Sequence, residues 1–334
     1  VVDITAELTQ DQLLQRLEGV ARKAVRDVLP PADYTLRMIN HSENTTYLVE
    51  GGGSRVIVRV HRTGYHTRNA INSELTWMKA LREEAGVRTP EVIAGPDGLL
   101  IHHIKTDKVP GGRNCVFFEF LDGVEPDEEN LLPSFPALGE VTAHMHRHSR
   151  GWVPPNGFQR FSWTLETSVG DQPHWGHWKD GLNLTPERIA LFERLVETMD
   201  RRLKAFGTAP QLFGLVHADM RLANLLIDGA ETRVIDFDDC GFSWYLWDFA
   251  TALSFIEDRP DVPELTGAWL EGYRRIEPLS KGEEDEIPTF VLLRRLQLVA
   301  WIGSHKETDL AQEMGAEFTT GSCHLAEDYL GKFG

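Results

Sequence analysis

The stretch from Leu215 to Gly241 reads LVHADMRLANLLIDGAETRVIDFDDCG. It places one His, one Asn and five Asp within twenty-seven residues, most of them beside apolar, strand-like runs. Two explanations compete. The acidic residues are solvated loop positions between short strands, or they hold a divalent cation and a reacting group. The internal spacing fits the second, though alone it is a weak signal. His217, Asp219 and Asn224 form H-x-D-x(4)-N. NLLIDG and TRVIDF then read as a hairpin with its turn at Gly229-Ala230, which delivers Asp236, Asp238 and Asp239.

These residue types suit phosphoryl transfer from a nucleotide. One carboxylate accepts the proton of an attacking hydroxyl, while an amide oxygen and a second carboxylate hold Mg²⁺ across the phosphates. Mg²⁺ prefers hard oxygen ligands and keeps several waters, so few protein ligands suffice.

On the N-terminal side, TQDQLLQRLEGVARKAV has helical apolar spacing, and Thr9 is expected to cap it. YTLRMI, NTTYLVE and RVIVRVHR read as strands, with Gly51-Gly52-Gly53-Ser54 as the turn between the last two. Val56, Val58 and Val60 share one face of the third strand, and Ile57, Arg59 and His61 the other. INSELTWMKALREEAG is a helix with Ile71, Leu75, Met78 and Leu81 on one stripe and Gly86 at its end. GLLIHHI and CVFFEFLDG read as two further strands, with His102-His103 at the end of the first. Residues from about 30 to 121 thus describe an antiparallel sheet with one inserted helix.

Beyond Gly123 the pattern turns helical, in LGEVTAHMHRHS, TPERIALFERLVETMDRRLKAFG, WYLWDFATALSFIE, PELTGAWLEGYRRI and IPTFVLLRRLQLVAWIGSH. KGEEDEIP is a solvated helix start. The segment 150–182, rich in Trp, Pro, Gly and His, is the least regular and reads as a long ordered excursion. Its QPHWGHW either lines an acceptor pocket or closes the core. His144 and His148 stand at i, i+4, yet without HExxH or a third ligand they read as helix packing rather than a metal site.

The 334 residues carry a formal charge of −17. A nucleic-acid partner would want a basic face, so that class is set aside. Cys115, Cys240 and Cys323 are scattered and odd in number, which fits a reducing, cytoplasmic setting better than a disulfide framework. No apolar run approaches the length of a membrane span. The first segment is acidic and amphipathic, unlike a signal peptide.

VHADMRLANLLID, VIDFDDCG and the downstream WDFA together resemble the catalytic loop and metal-binding Asp of the protein-kinase-like fold. The resemblance is to the aminoglycoside phosphotransferase and choline kinase-like branch, which has HxD in place of HRD and IDFD in place of DFG. It covers roughly residues 30 to 310. It implies an α+β, two-lobed fold, with an antiparallel β N-terminal lobe carrying one helix over 1–121 and a mainly helical C-terminal lobe over 122–334. ATP and Mg²⁺ are the implied cofactors. By this resemblance Asp219 is the catalytic base, Asn224 and Asp236 are Mg²⁺ ligands, and His217 supports the loop. Asp238 either meets a second metal or the substrate hydroxyl, or caps DCGF. Asp248, in LWDFA, corresponds to the helix Asp that bonds the catalytic-loop backbone from below.

The same resemblance implies a strand cation paired with a helix Glu. Arg59 and Glu74 stand at those places, with Arg where Lys is common; a guanidinium fork can bridge phosphate and carboxylate. NHSENTTYLVEGG corresponds to the phosphate-covering hairpin, with Ser42, Asn44 and Thr45 as donors. FFEFLDG corresponds to the inter-lobe linker, whose backbone near Glu119, Phe120 and Leu121 reads the adenine edge.

The implied activity is ATP-dependent phosphorylation of a small-molecule hydroxyl on an amino acid, amino alcohol, sugar or aminoglycoside-like acceptor. VRVHRTGYHTRNAINSEL and IDFDDCGFSWYLWDFATAL look most like homoserine-kinase-like members or bacterial stress-response Ser/Thr kinases. Two alternatives stand beside it: a protein Ser/Thr kinase and a catalytically silent nucleotide-binding protein. The absence of an APE after IDFDD argues against the first, and the presence of Asp219, Asn224 and Asp236 against the second. Fold and catalytic loop do not set the acceptor.

Overall fold

The computed structural model describes residues 8–41, 44–127, 129–229, 231–306 and 308–334. The chain divides into two compact units. The first comprises Val1–Ala80, Thr89–Asp122 and Pro155–Gln159; the second comprises Leu81–Arg88, Gly123–Pro154 and Arg160–Gly334.

The first unit opens with α1 (Gln10–Val28). Thr9 accepts from the Gln12 N–H and the Gln12 side chain returns the bond, a reciprocal cap that satisfies two otherwise orphaned donors. Next come β1 (Tyr34–His41), β2 (Thr45–Gly51) and β3 (Ser54–Val60), then α2 (Arg68–Glu84), β4 (Val92–Ile93), β5 (His102–Thr106) and β6 (Val109–Glu119). The sheet is antiparallel and runs β1-β2-β3-β6-β4, with β5 also on β6. Alternation along β3 puts Val56, Val58 and Val60 on a buried face, where they meet Leu17, Val20, Ala24 and Val28 of α1. Burying that stripe is the main favourable contribution of the layer, at roughly 1.5–3 kcal/mol per large apolar side chain. The opposite face is also buried at Arg59 and His61.

Two strand limits differ from expectation. His102-His103 open β5 rather than end a strand, because Gly95 and Leu99 are held in a turn just before them. β6 begins at Val109, six residues before the apolar run, since its pairing with β5 carries the polar residues Arg113 and Asn114 into the ladder.

The second unit is mainly helical: α3 (Phe135–Gly151), α4 (Leu165–Val169), α5 (Pro186–Phe206), α6 (Leu246–Ala252), α7 (Val262–Arg274), α8 (Lys281–Glu284), α9 (Ile287–Ser304), α10 (Asp309–Met314) and α11 (Glu317–Phe333). The strands β7 (Phe161–Ser162), β8 (Phe213–Val216) and β11 (Gly241–Trp244) form one small sheet in the order β7-β11-β8, and β9 (Leu225–Asp228) pairs with β10 (Glu231–Val234). Helices α3 and α7 approach until backbone meets backbone. A Cβ on Gly139 would stand 2.1 Å from the Trp269 carbonyl oxygen, and one on Gly272 1.8 Å from that of Pro136. The expected helix over WYLWDFATALSFIE is shorter than its apolar run. Trp244 belongs to β11, and after α6 the chain breaks at Phe255, whose φ of 70° no helix accommodates.

The excursion over 150–182 is ordered. Phe161 stacks on His174 at 4.4 Å, Trp163 meets Trp175 edge-on at 5.3 Å, and Trp163 Nε1 donates to the Asp239 carbonyl at 2.8 Å.

Candidate active site

The loop after β8 is held from beneath by a single buried carboxylate. Asp248, in the first turn of α6, accepts the His217 N–H at 3.1 Å and the Ala218 N–H at 2.7 Å. The His146 imidazole donates to the same carboxylate from Nε2 at 3.0 Å, and its Nδ1 accepts from the Tyr273 hydroxyl at 3.0 Å. Burial lowers the pKa of His146, with Asp248 opposing, so the ring sits neutral as a spacer between Tyr273 and Asp248. Fixing both N–H groups forces Ala218 into the left-handed region at φ 66°. That conformation is costly for alanine and persists only when its surroundings over-determine it.

His217 is fully buried. Its Nε2 donates to the Ile235 carbonyl at 3.0 Å and its Nδ1 accepts the Asp219 N–H at 3.2 Å. This links the loop to the end of the β9–β10 hairpin. The Asn224 amide donates to both the backbone and the carboxylate of Asp219, each at 2.8 Å. With its nitrogen fixed there, the oxygen is the end of that amide left to face a cation.

Asp219 carries more company than the sequence suggested. Arg294 Nη2 donates to Oδ1 at 2.8 Å, and Arg221 Nε lies 3.3 Å from Oδ2. Burial works to raise the Asp219 carboxyl, but Arg221, Arg294 and then His217 outweigh it and hold the group below its ordinary range. Neither arginine was singled out by sequence reasoning. The signal for Arg294 was present: Arg294, Arg295 and Gln297 interrupt a helix apolar on every side, and a buried guanidinium must be paired. Arg295 is paired with Glu257 at 2.6 Å.

Asp236 is exposed, with φ 59°. Its charge and that of Asp239 act on Arg221. The left-handed residue ends β10 and turns the chain out of the ladder, so the strand read over TRVIDF stops at Val234. Asp238 is buried, and its carbonyl accepts from Arg160, which also donates to the Cys240 carbonyl at 2.6 Å. The Cys240 N–H bonds to the Phe237 carbonyl at 3.0 Å. Among the described residues no group of three or more His, Cys, Asp or Glu forms a metal cluster.

In the first unit, Arg59 Nη2 donates to Glu74 Oε1 at 2.5 Å, both side chains buried, and the guanidinium lies 5.0 Å from the Phe118 ring centre. Asn44 Oδ1 accepts the Arg62 N–H just after β3 at 3.0 Å, and Thr45 Oγ1 bonds His41 Nδ1 at 2.9 Å, tying β2 to the end of β1. Ser42 lies outside the described residues. The Glu119 N–H is bonded to the Glu91 carbonyl at 2.8 Å. Arg55 stacks on the Phe120 ring at 4.2 Å, and Leu121 is buried.

Residues 35–281 match the phosphotransferase enzyme family, and the chain belongs to it. A solved microcompartment-associated aminopropanol kinase is 43% identical and superposes with a TM-score of 0.88 over 95% of this chain and 98% of that one. The amicoumacin kinase hAmiN, solved with AMP-PNP, Ca²⁺ and Ami, shares the fold at a TM-score of 0.74 and 20% identity, over 95% and 96% of the two chains. A homoserine kinase from Caulobacter is 26% identical over 74% of this chain and 73% of its own. The protein is a small-molecule kinase that transfers phosphate from ATP to a hydroxyl. It has the expected kinase-like α+β fold. No helix among the described residues is long and apolar enough to cross a membrane.

Proposed function

We propose that the acceptor is a small amino alcohol of the aminopropanol type. The observation that carries this reading is the 43% identity to the aminopropanol kinase over nearly the whole of both chains. Acceptor specificity resides in the helices of the second unit and in the 150–182 excursion, and a likeness that spans those segments includes them.

In this mechanism Asp219 orients the acceptor hydroxyl and takes its proton late in the transfer. Asn224 and Asp236 offer hard oxygens that suit Mg²⁺, which when bound neutralises charge on the nucleotide phosphates. Asp238, buried on the same segment, is the alternative metal ligand. Arg59, held by Glu74, contacts a phosphate with the rest of its fork. The backbone of Phe120 and Leu121 takes the adenine, and Asn44 and Thr45 lie toward the phosphates. The three cysteines, buried and outside any disulfide, accord with a reducing cytoplasm.

The test is product analysis with ATP and a panel of amino alcohols, amino acids, sugars and aminoglycosides. An O-phosphorylated amino alcohol formed with far higher kcat/KM than the others supports the reading. Preference for an amino acid such as homoserine refutes it.

A further inference from the structure

Asp219 has two carboxylate oxygens, with room for about four hydrogen bonds between them. Oδ2 is occupied by Asn224 Nδ2 at 2.8 Å and Arg221 Nε at 3.3 Å. Oδ1 is occupied by Arg294 Nη2 at 2.8 Å. The vacant acceptor direction therefore belongs to Oδ1, beside Arg294.

Arg294 reaches that oxygen from α9, an element remote from the catalytic loop in sequence. Its fork is anchored on every side. Nε donates to Ser254 Oγ at 2.9 Å, Nη1 to Gln297 Oε1 at 3.0 Å, and its Cζ lies 4.9 Å from the Trp175 ring centre. A planar cation tied to three separate partners has little freedom, so it fixes the plane of the carboxylate it holds.

Gln297 supplies an independent sign. It is fully buried, its oxygen is fixed by Arg294, and its Nε2 has no hydrogen-bond partner among the described residues. A buried amide donor left unsatisfied costs about 1–3 kcal/mol. Through Arg294 it is the next member of a bonded chain that ends on Asp219 Oδ1.

We propose that Arg294 and Gln297, one turn apart on α9, position the acceptor: Arg294 fixes the carboxylate so that Oδ1 receives the hydroxyl, and Gln297 Nε2 donates to an oxygen of the bound acceptor. The proposal rests on Asp219 as the group that meets the hydroxyl. It does not depend on which alcohol that is.

The experiment is steady-state kinetics of Arg294→Ala, Arg294→Lys and Gln297→Leu on the full chain, beside Asp219→Asn. The acceptor is whichever alcohol the wild type phosphorylates, and each variant's melting temperature is recorded. Arg294→Ala is expected to lose about a hundredfold in kcat, as misplaced reacting groups do, with KM for ATP unchanged. Millimolar guanidinium should restore part of that kcat, and none to Asp219→Asn. Gln297→Leu should raise the acceptor KM roughly tenfold and leave the ATP KM alone. If the alanine variant does not fold, Arg294→Lys decides. One ammonium cannot hold Asp219, Ser254 and Gln297 together, so kcat should fall with ATP KM intact. Wild-type kcat in the folded Arg294 variant overturns the proposal. So does a folded Arg294→Ala enzyme that guanidinium does not rescue, or an unchanged acceptor KM in Gln297→Leu. A fully active Asp219→Asn would refute the underlying mechanism instead, and a wild type silent on amino alcohols but active on another hydroxyl would refute only the acceptor class.

Discussion

Asp219 and Asp248 are both buried carboxylates in contact with the same loop, yet their partners give them different work. Asp248 is enclosed by two backbone N–H groups and an imidazole, with no room for substrate. Asp219 is held by side chains that leave one direction open. Asp219→Asn should therefore lower kcat by about 10²–10⁴-fold, with ATP affinity nearly unchanged, in parallel turnover and nucleotide-binding measurements. Near-wild-type turnover would remove it from the mechanism. Asp248→Asn should act on stability first. The new amide nitrogen would oppose an N–H donor, at a cost of about 1–3 kcal/mol, readable as a lower denaturant midpoint. An unchanged midpoint would mean that the loop does not depend on these bonds. At this scale the sequence was legible where residues recur at a fixed spacing, as for His217, Asp219 and Asn224. It was silent on Arg294 and His146, because they come from helices whose packing brings them to the loop.

The elements are positioned by a few specific contacts. Arg59 on β3 and Glu74 on α2 form a buried pair. Glu74→Ala is expected to raise the ATP KM, Arg59→Lys to retain part of the activity, and the double variant to be non-additive, because both changes remove one contact. A double-mutant cycle on kcat/KM for ATP checks this, and strict additivity would leave the phosphates to other groups. Gly139 on α3 and Gly272 on α7 allow two helices to touch backbone to backbone. Gly139→Ala should thus destabilise the fold by about 1–3 kcal/mol by forcing the helices apart, a loss a thermal melt would register. The longer helices and the β1–β3 meander were readable from apolar period and turn residues. The two-residue strands β4 and β7 were not, nor was β11, since pairing with a neighbour defines them and so short a run has no period. The helix expected through Ser254 fails because Phe255 turns left-handed, which places Ser254 against Arg294.

For the molecule as a whole, the family and the reaction were legible because phosphoryl transfer demands a fixed set of oxygen ligands and a base at a fixed spacing. The acceptor was not, because the fold and the catalytic loop do not set it. Removing the metal should abolish turnover. Asp236→Ala should raise the Mg²⁺ concentration needed for half-maximal rate while leaving the melting temperature near that of the wild type, as Asp236 is exposed. An unchanged metal requirement would pass the role to Asp238. The most direct measurement of the central claim is a phosphorus NMR spectrum of the enzyme with Mg·ATP and 1-amino-2-propanol. The account predicts a phosphate monoester resonance, split by the carbinol proton, that grows in equal amount with ADP in the wild type and is absent in Asp219→Asn. ADP accompanied only by inorganic phosphate, or an ester formed equally well by Asp219→Asn, would contradict it.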